Sequence, residues 1–335
     1  MTIYTMIKAL IVLLLIISSF SCQSQIKTEM SENKTNPLMC DPETGACEMP
    51  IEETDLGKIK IAPEKKPIKI IYYTDPICSS CWGIEPQLRK LKLEYGGYFD
   101  IDYRMGGLLP DWSYNSGGIS KPSDVAHHWD EASLYYEMPI DGDVWLEDPL
   151  DSSYPSCIAM KAAQMQDKEK AVLFMRVLRE KLYLEKKNIA KWDNIAEAAE
   201  KCQLDTNRLK SDYDGKAQQL FKDDLLYAKS LGVRGFPTIF FSDGSDKLLT
   251  VYGSKPYQFY ENTLLKLHPE AQKNKYSNTN DPMFLFDIYP TLAAKEYAVI
   301  LDKTITEAKS MLEQLSSEGK LMKKVIRTGT LYVKK

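Results

Sequence analysis

The sequence predicts an α/β protein with a long helical insertion and a small α+β unit at its C-terminus. Three observations lead there. Residues 67–74, PIKIIYYT, are a short run of β-branched and aromatic side chains bounded by turn formers, which reads as a buried strand. Directly after it, Ile84, Leu88, Leu91 and Tyr95 recur at helical spacing. Near the end, Thr304-Ile-Thr-Glu307 is a capping box ahead of a second periodic run, and the closing KLMKKVIRTGTLYVKK alternates like a hairpin.

Composition narrows the function classes before any motif is read. The 335 residues are 44% hydrophobic and 27% charged, which excludes a disordered chain, a collagen-like repeat and a multi-span membrane protein. A net charge of −4, from 43 basic and 47 acidic side chains, leaves no overall basic field to hold a polyanion. At about 150 residues per domain, the length suits two units. Seven cysteines are an odd number, and in an exported chain the unpaired one needs a reason.

The leader supplies one. Lys8 precedes an apolar run from Ala9 to Ile17, too short to cross about 30 Å of hydrocarbon but suited to the core of a signal peptide. Residues 1–22 close on Ser19-Phe20-Ser21-Cys22, which resembles a bacterial lipoprotein signal, with Phe20 where that pattern prefers a small residue. The expectation is export, with Cys22 acylated and the protein anchored in the envelope, facing the periplasm or the cell exterior. An ordinary cleaved signal or an uncleaved anchor is the alternative. With Cys22 spent on lipid, the remaining thiols are even in number.

Residues 23–66 are polar and read as a flexible tether. Within it, Cys40-Asp-Pro-Glu-Thr-Gly-Ala-Cys47 contains the turn-forming pairs Asp41-Pro42 and Thr44-Gly45, which can bring the two sulfurs together. Two readings stay open: a small structural disulfide loop, or an exposed dithiol that exchanges electrons with the main site.

That main site is Cys78-Ser-Ser-Cys81, placed between the strand and the first helix. Cys78 then sits at a helix N-terminus, where unpaired N–H groups and the helix dipole favour a thiolate. Cys78 would attack and Cys81 resolve the mixed disulfide. A zinc site would need a second ligand pair; no other Cys-x-x-Cys exists and His127-His128 are adjacent, so no metal is expected.

Far downstream stands Gly235-Phe236-Pro237-Thr238. Together with the cysteine pair it resembles the thioredoxin-fold disulfide oxidoreductases of the DsbA-like superfamily. Asp75-Pro76-Ile77-Cys78, Cys81-Trp82-Gly83 with Pro86, Arg104-Met105-Gly106-Gly107-Leu108-Leu109 and Pro155-Ser156-Cys157 resemble its FrnE-like branch. The resemblance implies a thioredoxin fold over residues 67–268 and a cis Phe236–Pro237 bond. It also implies that Phe236, Pro237 and Thr238 hold the substrate chain, and that no cofactor is needed beyond the redox-active pair. Two departures are visible: Ser79-Ser80 replaces the usual Ser-Trp spacer, and Tyr72 stands where many relatives place a buried acid. Glu85 or water would then have to move the proton of Cys81.

Helical periodicity through Met160, Val172, Leu178 and Leu182 marks an insertion at about 120–230. By the resemblance it caps the site, with Trp129, Trp145 and Tyr154 as groove lining or as ordinary core. Cys157 and Cys202 read as buried small hydrophobes rather than a disulfide. After a polar linker at 269–281, residues 282–335 read as a winged-helix-like unit. Thr291 would cap its first helix, Gly319 stop its second and Thr328-Gly329 form the turn. From Asp302 onward there are eight basic and four acidic residues, but in an exported protein this favours a partner-docking module over nucleic acid. A similar tail follows the DsbA-like domain of YjbH-type adaptors. Two functions are therefore expected to compete. The first is an envelope thiol–disulfide oxidoreductase acting on protein substrates with a redox partner. The alternative is a non-catalytic adaptor that docks a partner protein.

Overall fold

The computed structural model describes residues 66–113, 119–245, 247–274, 276 and 281–335, together with Gly45 and the backbone of Cys47 and Glu48. The leader with Cys22, and Cys40 of the tether, lie outside the described residues.

Strand β1 (Cys47–Glu48) is isolated from the main sheet. That sheet is built from β2 (Ile68–Thr74), β3 (Phe99–Met105), β5 (Thr238–Ser242) and β6 (Leu248–Tyr252), in the order β3-β2-β5-β6. β2 runs parallel to β3 and antiparallel to β5. Being central and covered on both faces, β2 is apolar almost throughout rather than alternating, which is why its sequence reads as a continuous run. The parallel β2–β3 connection needs a crossover helix. Helix α1 (Ser79–Gly83) and helix α2 (Glu85–Tyr95) supply it, burying Leu88, Leu91 and Tyr95. The two are separated at Ile84 (φ −95°, ψ 0°), with Pro86 in the first turn of α2; the missing N–H and the ring of proline break the helix there.

Between β3 and the short strand β4 (Gly235–Phe236) lies the helical insertion. It comprises α3 (Pro122–Tyr136), α4 (Val144–Glu147), α5 (Tyr154–Gln166), α6 (Lys168–Glu185), α7 (Trp192–Lys201), α8 (Thr206–Asp214) and α9 (Lys216–Ser230). Trp129 and Trp145 do not line a groove. Both are buried, packed edge-to-face on each other at 5.0 Å between centroids, and Trp129 also meets Tyr183 at 4.9 Å. Such geometry belongs to a core. Helix α10 (Tyr257–Leu267) closes the thioredoxin body.

The C-terminal segment runs α11 (Phe284–Ile288), β7 (Thr291–Ala293), α12 (Ala294–Ile300), α13 (Ile305–Ser317), β8 (Leu321–Ile326) and β9 (Gly329–Lys334), with sheet order β7-β9-β8. Helix, strand, two helices and a hairpin is the winged-helix arrangement. Thr304 caps α13 as its capping box requires, and Gly319 follows at φ +75°. Two details differ from the sequence reading. Thr291 pairs with Val333 as a strand residue, and the cap of α12 is Ala293, whose N–H is held by Glu296 at 2.7 Å. Ile326 pairs with Gly329, so the turn residues are Arg327 and Thr328.

The described residues form one compact unit, and ionic contacts fasten this segment to the thioredoxin body. Arg89 of α2 reaches Glu296 at 3.1 Å and the Thr291 carbonyl at 3.1 Å, while Lys90 donates to the Val299 carbonyl at 3.2 Å.

Candidate functional site

The site is built where β2 ends. Asp75 follows the strand and is fully buried. Its Oδ1 accepts from the Ile77 N–H at 3.0 Å; its Oδ2 accepts from Leu108 N–H (2.7 Å), Ser153 Oγ (2.9 Å) and Cys157 Sγ (3.2 Å). Burial pushes its carboxyl above the usual range, and these donors oppose the shift. Arg179 of α6 fixes the same turn from the other side, donating to Thr74 Oγ1 at 2.8 Å and the Asp75 carbonyl at 3.2 Å. The Cys78 N–H in turn bonds the Asp75 carbonyl at 3.1 Å. The loop that delivers Cys78 is thus set by polar contacts to β2, α5 and α6.

Cys78 is the N-cap of α1, and its Sγ accepts from the Cys81 N–H at 3.1 Å. Cys78 and Cys81 are joined by a disulfide with Cα atoms 5.2 Å apart. Both residues are 0% exposed, and Ser79 and Ser80 between them are buried as well. Helix α3 forms the cover: Tyr136 Oη lies 2.7 Å from Ser80 Oγ. A Cβ on Gly83 would sit 2.4 Å from the Tyr136 ring, so the close approach requires glycine there. Trp82 donates from Nε1 to the Pro139 carbonyl at 3.2 Å and carries the Arg176 guanidinium 4.2 Å above its ring.

Opposite this loop stands the turn at the head of β5. The Phe236–Pro237 bond is cis. Tyr73 pairs with Thr238, so the antiparallel register carries Phe236 and Pro237 alongside the Thr74–Cys78 connection. Thr238 Oγ1 donates to the Gly235 carbonyl at 2.6 Å, and the Pro237 carbonyl accepts from Gly253 at 2.9 Å. The backbone edge of β4 is paired: β1 lies antiparallel to it, Cys47 opposite Phe236 and Glu48 opposite Gly235. Gly45 sits just upstream, its carbonyl accepting from Ser254 N–H at 2.8 Å and Tyr136 Oη at 3.5 Å.

The structure therefore gathers Cys78, Cys81, Phe236, Pro237, Thr238 and the backbone of Cys47 in one place. Glu85, considered as a proton carrier, is paired with Arg179 at 2.5 Å. Tyr72 is buried, its hydroxyl pushed up to about 12 by desolvation. Cys157 and Cys202 are buried and unbridged; burial raises both thiols, that of Cys202 to about 12. Cys157 is more than a hydrophobe, since it donates to Asp75. Among the described residues no cluster of His, Cys, Asp and Glu is arranged to hold a metal, and no helix is long and apolar enough to cross a membrane. Sequence reasoning missed Ser153, Tyr136 and Arg179, and it took Asp75 as part of a motif without giving it a role. Asp75 carried a signal, an acid three residues before Cys78 at the end of a largely apolar run.

Comparison with known proteins follows from this geometry. Residues 72–262 match the thioredoxin family model. Over 313 residues the chain is 36% identical to the ClpXP adapter protein SpxH of Halalkalibacterium halodurans, covering 90% of this chain and 97% of that protein. It belongs to the SpxH family of thioredoxin-fold proteins. SpxH of Bacillus subtilis is 29% identical over 273 residues, covering 80% of this chain and 89% of the relative. Among solved structures, a Nitrosomonas europaea chain described as a protein disulfide isomerase superposes with a TM-score of 0.53 at 19% identity, covering 61% of this chain and all of the other. That likeness concerns the fold alone. The FrnE-like assignment gives way: the relatives that match along most of their length carry the SpxH adapter name, which agrees with the adaptor resemblance of the C-terminal tail.

Proposed function

We propose that this SpxH-family chain is an adapter, a thioredoxin-fold platform that binds a partner protein, rather than an enzyme that turns over external disulfides. One observation carries the reading: the Cys78–Cys81 disulfide is 0% exposed at both residues, while the backbone edge beside it is already paired. A catalytic thiol has to present its sulfur to a partner, so reactive cysteines sit in partly exposed positions. The named role of the relatives, ClpXP adapter, supports the same class. The C-terminal segment fits it too, because its contacts with Arg89, Lys90 and Arg176 make its surface rigidly continuous with the thioredoxin body. Export and acylation at Cys22 belong to this reading as the means of holding the adapter at a membrane, with the partner met in the envelope.

The second reading, a protein disulfide oxidoreductase, is favoured by Cys78 at a helix N-cap facing a cis-proline turn. Reduction of insulin disulfides by dithiothreitol separates the two. The adapter gives the uncatalysed rate with and without Cys78→Ser, whereas an oxidoreductase accelerates it and loses that acceleration in Cys78→Ser. Mass spectrometry of the mature N-terminus tests the anchor: diacylated Cys22 supports it, and an unmodified Cys22 or intact leader overturns it.

A further inference from the structure

We propose that the segment around Cys47 is a built-in exchange partner of the Cys78–Cys81 disulfide. The chain would then carry its own cysteine peptide in the seat beside its redox pair. This goes beyond the adapter reading, and neither depends on the other.

The placement rests on three contacts. β1 adds to β4 in antiparallel register, with Cys47 directly opposite Phe236, the residue before cis-Pro237. Gly45 anchors the entry to that strand by accepting from Ser254 N–H and Tyr136 Oη. It adopts φ +64°, and a Cβ there would stand 2.7 Å from Ser254 Cβ, so the seat is fitted to glycine. The Tyr136 hydroxyl that reaches Gly45 also bonds Ser80, between the two cysteines. One side chain thus ties the strand to the redox turn, two residues from Cys47.

The burial that argues against external substrates does not hinder an internal one. A thiol delivered on a docked, covalently attached strand acts at the effective concentration of a short tether, in the millimolar range. The step balances without a further reagent. The deprotonated Cys47 sulfur attacks Cys78 Sγ; the Cys47–Cys78 bond forms as the Cys78–Cys81 bond breaks. Cys81 leaves as a thiolate and takes up a proton. One disulfide replaces another.

The test uses the full-length chain with Cys40→Ser and Cys81→Ser, so that Cys47 and Cys78 remain as the candidate pair. Diamide supplies the oxidant, taking two electrons and two protons from the two thiols. Digestion without reduction, followed by mass spectrometry of the monomer, reads the linkage. The expected product is the intramolecular Cys47–Cys78 disulfide as the main species, and Gly45→Val on this background lowers its yield about tenfold by unseating the strand. Moving the thiol one register step, with Cys47→Ser and Glu48→Cys, lowers the yield similarly and leaves Gly45 in place, so the result does not hang on one variant. Recovery of Cys47 and Cys78 unlinked, or linked only between molecules, overturns the proposal. So does equal crosslinking when the thiol is moved to position 48.

Discussion

Arg176 of α6 and Glu296 of α12 form a two-pronged ion pair, Nη1–Oε1 2.9 Å and Nη2–Oε2 3.0 Å, with both side chains buried. Because Arg176 also lies over the Trp82 ring, one guanidinium joins the C-terminal segment to the helix that carries Cys81. Burial alone would push the Glu296 carboxyl up; Arg176 and Arg89 more than offset this and hold it below its ordinary value of 4.5.

Glu296→Gln removes the fully buried carboxylate partner of Arg176 and leaves it Glu180, 2.6 Å from its Nε, and a loss of about 3 kcal/mol is expected from chemical denaturation. A pH dependence accompanies it. The folded value of Glu296 lies below the unfolded one, so its contribution is complete above pH 4.5 and is lost as the pH falls through the folded value. Melting temperature measured from pH 7 downward should fall more steeply below 4.5 in the parent than in Glu296→Gln. Parallel curves would show that Glu296 is not held as a carboxylate.

Asp75 accepts four donors and offers none of its own, an arrangement that suits a carboxylate better than an amide. Asp75→Asn sets an NH₂ group against at least one N–H or O–H and should cost about 1–3 kcal/mol. Cys157→Ala removes a single weak donor and should cost less. Urea midpoints of the two variants check the order.

Gly106 lies under Phe236, and a Cβ there would fall 1.7 Å from the ring carbon Cζ. Gly106→Ala therefore forces the ring, and β4 with it, to shift, at about 1–3 kcal/mol. Limited proteolysis should show faster cleavage near residues 45–48, since the strand pairs with Phe236.

The hairpin tip separates a half-buried contact from a wet one. Thr328 Oγ1 donates to the Ile140 carbonyl at 2.6 Å, and Thr328→Ala should cost about 1 kcal/mol. Arg327 faces Asp130, Asp141 and Asp143 but is 49% exposed, so Arg327→Ala should stay below about 1 kcal/mol and lose most of that in high salt.

Much of this architecture can be read from local signals. The strand run within 67–74, the helical spacing of Ile84, Leu88, Leu91 and Tyr95 and the Thr304 cap all have short-range causes, and each is found where its residues predict. Thr291 is the instructive failure. Its side chain suits a helix cap, but β9 supplies a ladder partner forty-two residues away in sequence, and strand pairing wins. The site divides in the same way. Cys78 and Cys81 announce themselves by spacing and the Phe236-Pro237-Thr238 turn by family resemblance, whereas Tyr136, Ser153 and Arg179 arrive from the insertion at sequence separations of 56, 78 and 105. The burial of the cysteine pair follows from those long-range contacts, and it is what shifts the reading from enzyme toward adapter.

The most direct test of that reading is partner capture by the full-length tagged chain in the cells that make it, after amine crosslinking and quantitative mass spectrometry, with the Cys78→Ser/Cys81→Ser double variant compared against the parent. The adapter account predicts the same partner proteins at unchanged recovery. Loss of those partners in the double variant, or their recovery only as mixed disulfides through Cys78, would contradict it.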